Sequence, residues 1–224
     1  MHRDLRLTVV IPCYNEEHGI QEVLRRMPRI VDEAVVVDNN CSDRTAEVAR
    51  AMGAVIVEEA TPGYGAAYQA GLARATGDVV ITMDGDGSYP PEEIPRLVDH
   101  LLERNWEFLS GCRFPLHDPS AMGPMNRMGN AVLTAATALL FLKPIRDSQS
   151  GMWVIRREAL GRLRPKSKGM AFSEEIKLEA VLRGLRFGET HIPYGVRVGE
   201  VKLRRWRDGF ENLLFLVLKR VGLR

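Results

Sequence analysis

The sequence is poor in cysteine, in aromatic residues and in long stretches without charge. It has 224 residues, of which three are cysteines (Cys13, Cys41, Cys112), and 7% are aromatic. Because no two cysteines form a C-x-x-C pair, we expect neither a disulfide scaffold nor a structural zinc site, and we expect a reducing, cytoplasmic setting. The first apolar run has no cleavage-site pattern, so we interpret it as a strand and not a signal peptide.

The longest stretch without a charged residue, 128–142, has 15 residues. A membrane-spanning helix needs about 20 apolar residues. We therefore interpret the segment 125–142 as a buried or docked helix in preference to one that touches a membrane.

Charge is nearly balanced overall but unevenly placed. The net charge is +2, while Arg183 to Arg224 holds ten Lys/Arg and four Asp/Glu, which is +6 and leaves −4 for residues 1–182. A basic C-terminal stretch on a slightly acidic body favours an anionic partner, either a membrane surface or a phosphate-bearing ligand. No nucleic-acid motif or interleaved aromatic platform is present, so we do not expect nucleic acid as a partner.

Short apolar runs alternate with helical patterns along the chain. The predicted strands cover residues 7–11, 34–37, 54–57, 79–83, 106–111, 153–155 and 187–192, and the predicted helices cover 16–27, 42–52, 63–75, 125–142, 172–182 and 206–224, with another beginning near residue 91. Strand-length runs of consecutive apolar residues, without alternating polar positions and separated by helices, predict an α/β fold with a parallel sheet covered on both faces. The basic, amphipathic helix 206–224 fits a membrane interface, and it equally fits docking on the sheet or on a second subunit, which would make a homodimer.

Two carboxylates, Asp84 and Asp86, follow the fourth predicted strand and flank Gly85. Ligands of parallel sheets bind beyond the carboxyl ends of the strands. Paired carboxylates there are suited to Mg²⁺ or Mn²⁺, which take oxygen ligands and bridge to substrate phosphates. The glycine between them allows close approach of a ligand. The alternative is an ordinary acidic turn.

Three further segments lie where a nucleotide would bind. Pro12 ends the first strand, so that Tyr14 could cover a base or sugar and Glu16 could contact a ribose. Taken alone, that segment is better explained as a strand-to-helix turn. Asp38 ends the second strand and could accept hydrogen bonds from a base, or form an Asx turn. Gly65 opens a helix and indicates close packing beside a nucleotide.

In this order, the segments TVVIPCYNEE, VVVDNNCSDRT, GYGAAYQAGLARATGDVVITMDGD and SYPPEEIPRLV resemble the family 2 glycosyltransferases of the GT-A fold. The resemblance runs from about residue 7 to about residue 210. It implies a single GT-A domain, 1–224, with a Rossmann-like, mostly parallel sheet. Residues 1–112 would form the nucleotide-sugar-binding half, residues 113–205 the acceptor-side half and 206–224 the C-terminal helix.

The segments SGCRF and DSQSGMWVIRREAL and the pattern R-x-G-E-x-K-L look like the polyprenyl-phosphate hexose synthases, the dolichol-phosphate mannose synthase branch. That likeness implies phosphate contacts from Arg113, Arg197 and Lys202. It also implies that Asp38 faces the base and that Asp84 and Asp86 hold Mg²⁺ or Mn²⁺.

The sequence departs from that branch at several positions. Ser88 stands where a glutamine is common in that branch, and this is the position of the expected third metal contact. Val201 interrupts the G-E-S-K pattern, and Pro62 stands where a lysine is often found. These changes bear on donor and acceptor identity more than on the chemistry.

The resemblance implies inverting transfer of a hexose from a nucleoside diphosphate, of the GDP-mannose or UDP-glucose type, to a polyprenyl or dolichyl phosphate. A phosphate monoester is already an anion near neutral pH, since its second pKa is about 6, and needs no general base. A hydroxyl acceptor would need one, and the available carboxylates are Glu174, Glu175 and Asp147. Glu174 and Glu175 fit slightly better as a solvated helix face, and Asp147 fits an acceptor contact or a turn cap equally well.

Three other functions remain open from the sequence. A GT-A enzyme could act on a soluble hydroxyl acceptor, a nucleotidyltransferase could use the same kind of sheet, and a non-catalytic protein could bind nucleotide sugars. The intact Asp84 and Asp86 argue against the last, and the lack of a glycine-rich basic loop after the first strand argues against the second. We expect a cytoplasmic protein with peripheral contact to the membrane.

Overall fold

The computed structural model describes residues 2, 4–199 and 205–222. Its strands are β1 Leu7–Cys13, β2 Glu33–Asp38, β3 Val55–Glu58, β4 Val79–Thr82, β5 Phe108–Cys112, β6 Trp153–Arg156 and β7 Phe187–His191. Its α-helices are α1 Glu17–Arg25, α2 Thr45–Ala51, α3 Tyr64–Arg74, α4 Ile94–Glu103, α5 Pro124–Phe141, α6 Arg157–Leu160, α7 Phe172–Leu182 and α8 Arg205–Arg220. Every apolar run predicted to be a strand forms one, with ends shifted by no more than two residues.

The strands form one sheet in the order β3-β2-β1-β4-β6-β5-β7. β1 pairs in parallel with both β2 and β4, and β5 pairs in parallel with β7. β6 runs antiparallel to both β4 and β5, so the sheet is mostly but not wholly parallel. The apolar run could not reveal this, because Trp153, Val154 and Ile155 are all buried and burial of both faces gives the same pattern in either strand direction.

Helices cover both faces of the sheet. Helices α1, α2 and α4 pack on one face, with Ile20 and Leu97 in the same core as Ile11. Helices α3, α6 and α7 pack on the other face, where Tyr68 and Phe172 surround Trp153. The predicted α/β architecture with both faces covered is therefore confirmed.

Helices α5 and α8 form an outer layer on the side of α7. Leu133 of α5 packs with Leu178 of α7 and with Phe215 and Leu216 of α8, so α5 is docked, as predicted. The opposite sides of both helices are open and apolar, and they expose Met125, Met128, Val132 and Leu139 of α5 and Phe210, Leu213, Leu214 and Val217 of α8. None of the described helices is long and apolar enough to cross a membrane.

Candidate active site

The candidate site lies where the order of the strands reverses. The chain passes from β1 to β2 and β3 on one side, and then returns to β4 on the other side of β1. Because β1, β2 and β4 are parallel, their carboxyl ends open a crevice at one edge of the sheet. The segments that begin at Pro12, Asp38 and Asp84 all lie at this edge, as the sequence predicts.

Asp84 lies two residues beyond β4 and faces the first turns of α3. Its Oδ1 accepts hydrogen bonds from the hydroxyls of Tyr64, at 3.2 Å, and Tyr68, at 3.3 Å. Burial and the charge of Asp86 raise the pKa of Asp84 to about 7. The carboxyl group therefore lies in a place where its negative charge is poorly compensated by the protein.

Asp86 is held by its own loop and by a distant segment. Its Oδ1 accepts from the backbone N–H of Ser88, at 2.9 Å, and from the Ser88 hydroxyl, at 2.6 Å. Its Oδ2 lies 3.4 Å from Nη2 of Arg197, which also donates to Glu16 at 3.0 Å. The backbone N–H of Val198 donates to the Asp86 carbonyl at 2.7 Å, so the segment carrying Arg197 lies directly on the Asp86 loop.

Arg113 and Asp147 form a buried, two-pronged ion pair. Nε and Nη2 of Arg113 each donate to one carboxylate oxygen of Asp147 at 2.8 Å, and the Arg113 backbone N–H donates at 3.0 Å. Burial opposes ionisation of Asp147, but the charge and hydrogen bonds of Arg113 outweigh it and lower its pKa to about 2. Asp147 therefore positions Arg113, which also packs over the ring of Tyr194.

The expectation that Glu174 and Glu175 form a solvated helix face is wrong. Both side chains are buried, because α8 lies over α7. Glu175 accepts from the backbone N–H groups of Lys166 and Ser167 and from Lys219 of α8. Glu174 accepts from Gln149 at 2.8 Å, its Oε1 has no partner among the described residues, and burial raises its pKa to about 8.

The predicted nucleotide-contacting residues differ in their exposure. Tyr14 is 51% exposed at the mouth of the crevice. Glu16 is buried against Arg197. Asp38 accepts from the backbone N–H of Cys41, three residues further on, at 2.8 Å. The expectation that Pro12 ends the first strand is wrong, because β1 continues to Cys13 and Pro12 still lies opposite Val37 of β2.

Gly65 and Gly85 lie in close contact with neighbouring segments of the protein, which leave no room for a side chain. A Cβ atom on Gly65 would lie 2.2 Å from the carbonyl oxygen of Ser167. A Cβ atom on Gly85 would lie 2.5 Å from Sγ of Cys13. Close packing thus explains both glycines without a ligand.

Sequence reasoning missed four residues of the site: Tyr64, Tyr68, Gly151 and Lys177. Tyr64 and Tyr68 are four residues apart on α3, a spacing that places both on one helix face and was the available signal. A Cβ atom on Gly151 would lie 2.5 Å from the Tyr64 hydroxyl and 3.1 Å from Oδ1 of Asp84. Nζ of Lys177 donates to the carbonyls of Asp147 and Ser148, and nothing local marks that contact.

The residues present fit a divalent cation through two carboxylates. Asp84 has poorly compensated charge, and Asp86 lies two residues away. The hydroxyl of Ser88, the predicted third contact, is hydrogen-bonded to Asp86. The described part of the chain holds no cluster of three or more His, Cys, Asp or Glu side chains arranged for a metal, and Lys202 lies outside the described residues.

The fold is that of the GT-A glycosyltransferases. Glucosyl-3-phosphoglycerate synthase of Mycobacterium tuberculosis, crystallised with Mn²⁺, UDP-glucose and phosphoglyceric acid, superimposes with a TM-score of 0.78 over 99% of this chain and 81% of its own, at 24% identity. The family model described as Glycosyl transferase family 2 matches residues 8–164. The chain belongs to this family and is a transferase.

Curated relatives support the predicted branch. The chain is 35% identical to a dolichyl-phosphate hexose transferase of Haloferax volcanii, over 91% of this chain and 89% of the relative. It is 28% identical to a dolichol-phosphate mannosyltransferase of Pyrococcus furiosus, over 89% of this chain and 60% of the relative.

Proposed function

We propose that this protein transfers a hexose from a nucleoside-diphosphate sugar, of the GDP-mannose or UDP-glucose type, to a polyprenyl or dolichyl phosphate at a membrane surface, with inversion and with Mg²⁺ or Mn²⁺. The observation that carries the proposal is the pair Asp84 and Asp86 at the reversal of strand order, with Arg197 bound to Asp86. The relative from Haloferax volcanii, named a dolichyl-phosphate hexose transferase, supports the substrate class.

Asp84 and Asp86 would hold the metal. A bound cation would compensate the charge that raises the pKa of Asp84, and it would supply neutralisation of the diphosphate leaving group. Ser88 orients Asp86 through its hydroxyl and is the proposed third contact. Tyr64 and Tyr68 fix the orientation of the Asp84 carboxyl group.

Arginines would bind the phosphates. Arg113 is kept in one orientation by Asp147, and Arg197 reaches the Asp86 loop with a side chain that is 26% exposed. A guanidinium group can donate two parallel hydrogen bonds to phosphate oxygens. Lys202 is a further proposed phosphate contact.

The donor base and sugar would lie beyond β1 and β2. We propose that Tyr14 covers the base or sugar, that Asp38 faces the base and that Glu16 contacts the ribose. The backbone of Pro12, Gly65 and Gly85 would form the floor of this pocket.

The state of the carboxylates favours a phosphate acceptor. Of the three groups considered as a general base, Asp147 is bound by Arg113 and Glu175 by Lys219. Glu174 is buried, with its pKa raised to about 8, so it holds its proton at neutral pH. A phosphate monoester avoids the need for a base because it is an anion already.

The open face of α8 suits a lipid-borne acceptor. Phe210, Leu213, Leu214 and Val217 recur at helical spacing and are exposed, as is Val221 in the turn that follows α8. An amphipathic helix of this kind buries its apolar side at the acyl boundary of a bilayer. A second copy of this chain is the alternative occupant, and a measurement of mass in solution would reveal it.

A soluble phosphate-bearing acceptor is the second candidate. It is favoured by the fold neighbour from Mycobacterium tuberculosis, which was crystallised with phosphoglyceric acid. A polyprenyl phosphate carries a lipid chain and the soluble acceptor does not, so their glycosylated products separate between organic solvent and water.

The test is a transfer assay with Mg²⁺ or Mn²⁺, labelled GDP- and UDP-hexoses and a polyprenyl phosphate in detergent. We expect label in the organic phase, and a loss of roughly 100-fold or more in Asp86→Asn because charge stabilisation at the leaving group is removed. Asp78→Asn is the matched control, since Asp78 lies at the other end of β4. Transfer only to a soluble acceptor would contradict the lipid acceptor, and no transfer from any donor would contradict the proposal as a whole.

A further inference from the structure

A basic cleft lies at the end of the sheet opposite to the candidate active site. β6 runs antiparallel to β4, so the chain that follows Arg156 emerges beside the start of β4, far from Asp84. The cleft there is a shallow depression open to solvent, with a volume of about 460 Å³, and it is lined by Gly161, Arg162, Arg164 and Arg183. None of these residues belongs to the site proposed for transfer.

The three arginine side chains are exposed, and each makes some hydrogen bonds to the protein while leaving other N–H donors unused by the described residues. Nη1 of Arg162 donates to Glu107 at 2.8 Å, and Nε of Arg183 donates to Glu179 at 2.6 Å. Nη1 of Arg164 donates to two backbone carbonyls. Within the described part of the chain, both Nη atoms of Arg183 and Nη2 of Arg164 have no further partner, so donors remain for an oxyanion.

Cations outnumber carboxylates around the cleft. Glu107 is shared by Arg162 and Arg186. Glu179 is shared by Arg183 and Lys219. The surplus positive charge therefore favours an anionic ligand.

The cleft adjoins the last turns of α8. Lys219 of α8 and Arg183 of the cleft bind the same carboxylate, Glu179. On its outer side α8 exposes Leu214 and Val217. A cluster of cations thus lies next to an open apolar helix face, a combination suited to the headgroup and acyl boundary of a bilayer.

We propose that the arginine cleft binds the phosphate of an anionic membrane lipid and anchors the protein beside α8. The proposal rests on the membrane contact in the proposed function and extends it, because it assigns a lipid charge and a second binding site. The cleft takes no part in transfer of the hexose.

The test is flotation of the whole protein with vesicles of phosphatidylcholine alone or mixed with phosphatidylglycerol. We expect the mixed vesicles to bind more tightly, and the double variant Arg164→Gln/Arg183→Gln to lose affinity for them on the order of tenfold. Arg25→Gln/Arg50→Gln is the matched control. It removes the same charge from α1 and α2 on the other face of the sheet, and it should bind like the parent.

Equal losses in the two double variants would overturn the proposal, because general charge would then explain binding. Glycerol phosphate tests a soluble source: if it binds the cleft in calorimetry and the cleft variant still floats like the parent, the ligand is not a lipid. Transfer to polyprenyl phosphate in detergent is measured alongside. Unchanged transfer in the cleft variant is expected, so failure of the cleft proposal is distinguishable from failure of the transfer proposal.

Discussion

The carboxyl groups of this protein differ widely in how firmly they hold a proton, and their neighbours explain the differences. Arg113 lowers the pKa of Asp147 to about 2 in spite of burial. Burial together with the charge of Asp86 raises the pKa of Asp84 to about 7, and burial raises that of Glu174 to about 8. The first carboxylate orients an arginine, the second is the ligand proposed for a cation, and the third is a buried acid whose proton is held at neutral pH.

Glu174 makes stability depend on pH. The unfolded chain ionises this group above its ordinary pKa of 4.5, whereas the folded chain keeps the proton up to about pH 8. Stability should therefore fall as pH rises between these values and level off above pH 8. The difference in free energy of unfolding between Glu174→Gln and the parent should therefore rise in favour of the variant over that window, by on the order of 5 kcal/mol. Urea unfolding from pH 4.5 to pH 9 measures this, and parallel curves for the two proteins would contradict it.

Asp147→Asn should destabilise the fold because it leaves the Arg113 guanidinium buried without its counter-charge. Loss of one partner from a buried ion pair costs about 3 kcal/mol or more. Glu22→Gln is the control, since Glu22 pairs with the exposed Arg25 and such pairs contribute less than about 1 kcal/mol. The free energy of unfolding in urea measures both, and equal costs would show that Asp147 is not needed to hold Arg113.

At the scale of elements, contacts with other segments outweigh helix propensity at the start of α3. Gly65 is the second residue of that helix, where alanine would be intrinsically better. The loop at Ser167 and Lys168 lies directly on it. This loop is fixed in turn by Glu175 of α7, so α3, the loop and α7 form one packed unit beneath Asp84.

Two glycine-to-alanine changes separate packing from propensity. Gly65→Ala should destabilise by about 1–3 kcal/mol, because the new Cβ atom would lie 2.2 Å from the Ser167 carbonyl oxygen. Gly209→Ala in α8 meets no atom within 4 Å and should stabilise by about 0.5–1 kcal/mol. Thermal unfolding of both variants measures the difference. A stabilised Gly65→Ala would contradict the packing explanation.

At the scale of the whole molecule, the central sheet and the outer helices present different surfaces. The sheet edge at β1, β2 and β4 carries the candidate active site, and the outer pair α5 and α8 presents an apolar surface to the outside. A partly buried hydrogen bond joins the two regions, since Asn212 of α8 donates to Gln149 in the loop that contains Asp147 and Gly151. The outer helices are thus in direct contact with a wall of the site.

Polar substitutions on the open face of α8 should affect lipid contact and leave the fold intact. Leu214 and Val217 are 45% and 44% exposed, so Leu214→Gln/Val217→Gln removes little of the core. We expect weaker flotation with vesicles, by roughly tenfold, since about 0.8 kcal/mol is lost for each buried methylene group, and unchanged binding of the nucleoside diphosphate in calorimetry. Met52→Gln is the control on the other face of the sheet. Unchanged flotation would contradict lipid contact at this face. Loss of a dimer in the variant would assign the face to a partner subunit.

The amino-acid sequence by itself determined where the strands and all the α-helices except the short α6 lie, because apolar periodicity and turn residues act locally. It also placed Asp84 and Asp86 at the end of a strand, since a carboxylate that follows a buried run must lie at the edge of the sheet. Only the tertiary structure decided the direction of β6 and the ion pair between Arg113 and Asp147. It likewise decided the burial of Glu174 under α8. Each of these depends on which distant segment packs against which, and periodicity within one segment carries no information about its neighbours in space.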